Sequence, residues 1–386
     1  MSVTHVCARV SGVQTSLIRA EHGCCCFYQI PLPMSHPMKV FNTKLTKLLG
    51  IRTPIVLPPM AGASGGNLAG QVSSAGGFGF LSAAYGTTPA DFREQLSLAR
   101  SAFQAPGSQH SAQVDFPVGV GYLAWQLEKS ESTLVELLPI ALEHNVQAIW
   151  FSFGERIAHW IDFVRDHDRR LGKDKRTLIF VQTSSVKEAL IAANEWNADC
   201  IVVQGVESGG HGLNAALPLL NLVPLTMEAI QDGPPVVAAG GLANGAHLAS
   251  MLTMGCSGCV FGTRFLLAKE SLYTEVQREA LIGASSELSV RSMAWDHARG
   301  SLGWPAGVDG RGLRNSTVKD FEAGIDIEEL QSKFRDAVKQ QDVDRCIVWA
   351  GTGVGQMARV QSAKDIVEEL HRETIERLEA ATKLYV

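Results

Sequence analysis

The stretch VVQGVESGGHG, residues 202–212, closes an apolar run with Gln204. It then brings one imidazole, His211, into a segment stripped of bulk by Gly209, Gly210 and Gly212. Histidine titrates closer to neutrality than any other side chain, so a lone accessible His suits proton abstraction. The plain alternative is a surface-loop histidine, and position in the fold decides between them. Glycine recurs at two later places. AAGGLANG supplies Gly240 and Gly241, and VFGTRF supplies Gly262 and Thr263. Bare backbone N–H groups, one hydroxyl and a following helix start are what a phosphate needs. One glycine pair alone would signify only a tight turn; two such ends in succession favour phosphate. No G-x-x-x-x-G-K-[ST] occurs, which argues against a P-loop hydrolase, and no G-x-G-x-x-G strand–helix unit offers a dinucleotide site.

These residues need a frame to hold them. From residue 51 short apolar runs alternate with helical patterns. The strand candidates are 54–60, 77–83, 116–123, 146–153, 177–183, 200–205, 234–241 and 258–263. Near-continuous apolar strands are buried on both faces, as in a parallel sheet covered by helices. Eight such units predict an α/β fold, a (β/α)₈ TIM barrel, with an open doubly wound sheet as the alternative. Chemistry in that barrel collects at the C-terminal strand ends, and phosphate at the ends of strands seven and eight. Gly240, Gly241, Gly262 and Thr263 fall there. His211 follows strand six on a loop and should face the same mouth. His159 and His167 belong to the helix after strand four, and His247 sits one turn into the helix after strand seven. His297 is a weaker site candidate, and Glu207 reads as a loop organiser.

The barrel is expected over 38–264 and 346–386. Residues 265–345 are too long for an ordinary βα loop and read as a small helical subdomain that lids one barrel face. The chain closes with an amphipathic helix carrying Ile366, Leu370, Ile375 and Leu378. Residues 1–37 form an N-terminal extension without core periodicity or a secretory apolar run. Arg9 and Arg19 there hint at mitochondrial targeting; the simplest localisation is cytoplasmic.

Composition narrows the function classes. The 386 residues are 46% hydrophobic with a net charge of −5, which offers no basic footprint for nucleic acid. No apolar run reaches the roughly 18 residues a membrane span requires. The eight cysteines form no disulfide framework, and Cys256-Ser257-Gly258-Cys259 lies in an apolar stretch where small buried residues are expected. A reducing compartment follows. No metal-ligand cluster is visible. Nothing in the sequence specifies an oligomeric state.

Taken together, TPIVLPPMAGASGG, PVGVGYLAW, VVQGVESGGHG, VVAAGGLANG, GCVFGTRF, DGRGLRN and VWAGTGVG resemble the nitronate monooxygenase family, once called 2-nitropropane dioxygenases. The resemblance runs from about Phe41 to the C-terminus, and PVGVGYLAW looks more like the fungal-type branch than the bacterial one. It implies an FMN-containing TIM barrel that oxidises alkyl nitronates, with nitroalkanes as further substrates, using O₂ and releasing a carbonyl compound and nitrite. It implies that Pro59, Met60 and Ala61 pack along the isoalloxazine, and that Gln204 and Gly209 contact the flavin from strand six. Gly241 with Val260, Phe261, Gly262 and Thr263 would hold the ribityl phosphate, beside Gly240. Gln182 falls where relatives place a polar flavin partner, sometimes Lys. His211 matches the catalytic histidine. Two other functions share this frame: an FMN-dependent NAD(P)H enoyl-thioester or quinone reductase, and a flavin-binding paralogue without turnover.

Overall fold

The computed structural model of the protein describes residues 9–10, 13–14, 39–83, 86–104, 116–129, 133–173 and 175–385. It divides into two units, Met1–Val40 and Phe41–Val386. In the first, β1 (Arg9–Val10) pairs antiparallel with β2 (Val13–Gln14). The rest of residues 1–37, with the targeting reading attached to them, lies outside the described residues.

The second unit is built on β3 (Ile55–Leu57), β4 (Phe78–Ser82), β5 (Phe116–Leu123), β6 (Val146–Ser152), β7 (Leu178–Thr183) and β8 (Cys200–Gln204). After β9 (Gly210–Leu213) come β10 (Val236–Ala239) and β11 (Gly258–Val260). All of these except β9 pair in parallel, and β11 returns to β3, so the eight strands close a barrel. Each lies inside one of the eight apolar runs. The reason is visible in β8. Ile201 and Val203 pack outward among the helices, while Cys200 and Val202 pack inward, so no polar position interrupts the strand.

Aromatic rings fill the lower barrel. Phe80 meets Trp150 and Phe180 edge-on, each at 5.1 Å between ring centres. Helix Lys44–Leu49 adds Leu45 and Leu49 to the same cluster, and Thr43 before it donates to Ser257 O at 2.7 Å, just ahead of β11. The barrel is therefore plugged at its N-terminal end and open only at the other. There the loop after β3 crosses inward: a Cβ on Gly121 of β5 would lie 2.1 Å from Pro59 Cγ, so only glycine lets that loop reach the mouth.

The segment after β11 carries the expected helices, Glu275–Ile282, Ala294–Arg299, Ser316–Glu322 and Ile327–Gln340. It also carries β12 (Ser289–Ser292) and β13 (Val308–Leu313), which form a three-stranded antiparallel sheet with β9. Two expectations change. His211 is on a strand rather than a free loop, paired in register with Gly310. The lid is not purely helical, and it belongs to the same unit as the barrel. Three of the four β9 residues are Gly210, His211 and Gly212, which have no apolar alternation; its partner arrives from far along the chain. The glycines of DGRGLRN now have a reason: a Cβ on Gly310 would lie 2.6 Å from the Trp349 ring, and one on Gly312 2.8 Å from Val348 O.

The closing helix, Ala363–Ala381, buries Ile366 and Leu370 of its apolar face and leaves Ile375 and Leu378 half-buried. Among the described residues no helix is long and apolar enough to cross a membrane. We expect a chain beginning at Met38 to fold with a melting temperature within a few degrees of the full chain and to keep its activity, since it retains the whole Phe41–Val386 unit. Thermal melting and turnover check this; insoluble or markedly less stable protein would give residues 1–37 a structural role.

Candidate active site

A cavity of about 1000 Å³ opens at the C-terminal ends of the barrel strands. The barrel contributes Pro59, Met60 and Ala61 after β3, Gln182 in β7, Gln204 and Gly209 at and after β8, Gly240 and Gly241 after β10, and Val260, Gly262 and Thr263 at and after β11. His211 projects into the same space from β9. The insertion closes over it with Arg299, Leu302 and Trp304.

Phe261 departs from the expectation. Its side chain is fully buried in the outer layer against the helices, and its N–H donates to Val56 O at 3.0 Å. It follows Val260, which faces the barrel interior, and alternation along the chain turns it away from the cavity.

The two glycine-bearing ends differ in what they tolerate. Gly241 has φ +66°, and a Cβ there would lie 2.7 Å from Thr352 Oγ1, so the backbone itself demands glycine. Gly262 has φ −82°, and a Cβ there meets only Met60 Sδ at 3.7 Å and Pro58 Cγ at 3.8 Å, both ordinary contacts. Gly262 is bare because of the space in front of it, not because of strain. The helix that follows is a single turn, Thr263–Leu266. Thr263 Oγ1 accepts from Gly351 N at 2.9 Å, which leaves its own proton for another acceptor.

Beside them at the end of β8, which pairs with β10, Gln204 Nε2 donates to His211 O at 3.2 Å. Gln204 Oε1 and Ser208 Oγ are buried without a protein partner, although both residues line the cavity. Polar atoms in that condition mark a place where a ligand belongs.

The His211 ring is held closely. It stacks on Trp304 at 3.7 Å and 11° and meets Trp349 edge-on at 5.1 Å. Nε2 lies 2.9 and 3.0 Å from the two carboxylate oxygens of Asp296. Asp296 is fully buried, and Oδ1 also accepts from Ser301 Oγ at 2.8 Å. Burial opposes ionisation of that carboxyl, but hydrogen bonds from His211 and Ser301 and the nearby Arg299 charge outweigh it and hold it below its ordinary range. Burial pulls the imidazole below its usual range; Asp296 opposes this, and Arg299 and Arg291 add to it. The pair is thus a carboxylate beside a neutral imidazole. A neutral imidazole opening into the cavity can take up a proton.

The nitronate monooxygenase family model matches residues 42–373. The chain belongs to the nitronate monooxygenase family. It is 32% identical to the nitronate monooxygenase of Neurospora crassa over 353 residues, covering 85% of this chain and 90% of that protein. Nitronate monooxygenase npaC of Metarhizium robertsii is 32% identical over 338 residues, covering 82% and 90%. Both relatives are fungal, the branch PVGVGYLAW resembles. Among solved structures, nitroalkane oxidase from Streptomyces ansochromogenes superposes with a TM-score of 0.69 at 26% identity, covering 87% of this chain and 99% of that one. The protein is an oxidoreductase of this family.

The sequence alone singled out neither Asp296 nor the tryptophans. Trp125 and Trp304 lie 5.0 Å apart between ring centres at the cavity edge, and Trp349 backs His211. The only signal was density: WDHARGSLGW packs two Trp, one Asp and one His into ten residues. The His of that run, His297, packs on Phe321 and does not line the cavity. His247 is tied up by Ala243 N at 2.9 Å, and His159 lies against Trp160. Glu207 organises its loop as expected, accepting Leu219 N at 2.8 and 3.0 Å at the start of helix Leu219–Ile230. Cys256 and Cys259 are buried free thiols, and burial pushes that of Cys256 up to about 12. Among the described residues no group of three or more His, Cys, Asp or Glu is placed to hold a metal ion.

Proposed function

We propose that this cavity binds FMN, and that the protein oxidises alkyl nitronates with O₂ to a carbonyl compound and nitrite. His211 acts as the general base that extends the reaction to neutral nitroalkanes. The observation that carries this reading is the single cavity shared by His211 and the glycine-bearing ends of β10 and β11.

The residues present fit a flavin. Gly262 opens on the cavity without strain, and two buried polar atoms, Gln204 Oε1 and Ser208 Oγ, lack protein partners. Gly240, Gly241, Gly262 and Thr263 would hold the phosphate, and Pro59, Met60 and Ala61 would flank the isoalloxazine. Gln182, Gln204, Gly209 and Val260 complete the walls. When bound, the flavin supplies the redox chemistry, taking electrons from an anionic nitronate and delivering them to O₂. The chain supplies the rest. The tryptophans and Leu302 exclude water, and His211 accepts a proton from the substrate carbon, whose electron pair stays on the substrate as nitronate. Phe261, whose N–H already serves Val56, takes no part.

FMN rather than FAD is expected because the cavity offers one phosphate-sized glycine site. The purified protein should be yellow and release FMN on denaturation, with roughly one flavin per chain; chromatography showing FAD, or no flavin after reconstitution, contradicts this. Anaerobic reduction distinguishes the activities. Nitronate should bleach the bound flavin, and NADH or NADPH should not. Bleaching by the nicotinamides alone would make the protein a reductase, and bleaching by nothing would make it a binding paralogue.

A further inference from the structure

The geometry points to Asp296 as the positioning residue of this site: its carboxylate keeps the His211 proton on Nε2 and so turns a basic Nδ1 toward the cavity. The inference rests on the reading of His211 as the base.

A carboxylate has no proton to give, so any hydrogen bond it shares with a neutral imidazole takes the ring proton. Both Asp296 oxygens lie within 3.0 Å of Nε2, and the ring's single N–H is therefore at Nε2. Nδ1 takes no hydrogen bond among the described residues, and it is not among the enclosed polar atoms. His211 lines the cavity, so the free lone pair of Nδ1 opens there.

Nothing about Asp296 is left to rotate. It is fully buried, Ser301 Oγ holds Oδ1 at 2.8 Å, and Ser301 N donates to the Asp296 carbonyl at 2.9 Å. Trp304 fixes the plane of the imidazole by stacking, and Gln204 together with the β9–β13 pairing fixes its backbone. The groups facing the ring electrostatically are Asp296 and Arg299 of helix Ala294–Arg299 and Arg291 of β12. Arg291 is already spent on Asp309, at 2.5 Å. Among the described residues, Asp296 is thus the anion positioned to stabilise the imidazolium that forms.

The proton step balances as written. The substrate C–H bond breaks, its electron pair remains on the substrate as nitronate, and the proton binds Nδ1. His211 becomes an imidazolium whose Nε2–H still donates to Asp296. The carboxylate does not itself take the proton, as in other Asp–His couples.

The test compares Asp296→Asn, Asp296→Ala and His211→Asn as FMN-loaded full-length proteins, on a neutral nitroalkane and on its preformed nitronate. Arg299 Nε donates to Ser301 Oγ, whose own proton goes to Oδ1. In Asp296→Asn the amide oxygen therefore takes that place and the amide nitrogen donates to Nε2, which moves the ring proton to Nδ1 and removes the base from the cavity. Asp296→Asn should lose about 10²–10⁴-fold on the nitroalkane. Asp296→Ala leaves both tautomers accessible and should lose less. Nitronate oxidation should fall less than nitroalkane oxidation in both, and flavin content should hold. A merely structural Asp296 predicts the opposite order, because Asn preserves shape and Ala does not. ¹⁵N spectra of histidine-labelled protein give an activity-free readout: the unprotonated ring nitrogen should be Nδ1 in the wild type and Nε2 in Asp296→Asn. An Ala variant worse than Asn, or equal losses on both substrates, overturns the inference. So does an unchanged tautomer in Asp296→Asn. If His211→Asn itself spares the nitroalkane, the base reading falls; if only the Asp296 variants do, the positioning role falls alone.

Discussion

Replacing His211 with Asn lowers turnover of a neutral nitroalkane by ~10²–10⁴-fold, or roughly 3–5 kcal/mol of barrier. Oxidation of a preformed nitronate should fall far less, with flavin content unchanged. The substitution keeps polarity and approximate size but removes the group that accepts the proton, and a nitronate has already lost that proton. The ratio of the two losses is the measurement, because misfolding or flavin loss depresses both. Equal losses with flavin intact would make His211 a binding residue, and unchanged nitroalkane turnover would remove it from the reaction. The pH profile carries the same information. Burial holds the imidazole below its ordinary 6.5, against the pull of Asp296 and with Arg299 and Arg291 assisting. The base is already neutral at pH 7, and kcat/KM for the nitroalkane should fall only as pH drops through a value under 6.5. An acid limb above that point would mean that the imidazole is charged at neutrality.

Substituting Gly262 with Leu is expected to yield protein that folds but retains FMN poorly. The φ of −82° suits any residue, and the added Cβ meets only Met60 Sδ and Pro58 Cγ at 3.7 and 3.8 Å. The rest of the side chain then occupies the space in front of the glycine. Crowding of this kind costs about 1–3 kcal/mol, or some 5–150-fold in FMN affinity. Flavin absorbance per chain and thermal melting separate the two effects: the first should fall and the second should hold when both proteins are compared without flavin. Full flavin retention would put the phosphate elsewhere. Gly241 offers no such test, since its φ of +66° and the 2.7 Å approach to Thr352 would strain the fold itself.

The barrel was legible because its signal is local. In β8 the alternation of Cys200 and Val202 inward with Ile201 and Val203 outward writes burial on both faces into consecutive residues. The glycines of AAGG and FGT were legible for the same reason: they end β10 and β11, and the order of strands puts those ends side by side. That order also brought His211 to the mouth. The side chain of Phe261 faces away from the cavity, which a motif read as a run of residues does not record, because strand alternation turns neighbouring side chains to opposite faces. What only the tertiary structure decided is how His211 is held. Asp296 lies 85 residues further along the chain, and no periodicity links the two. β9 has too little apolar pattern to announce itself, and it exists because β13 pairs with it. The reason for the glycines at 310 and 312 appears only once Trp349 and Val348 occupy the space a side chain would need. Sequence periodicity records which face of an element is buried; it does not record what comes to lie against it, because that contact forms between segments whose patterns are independent until the chain closes.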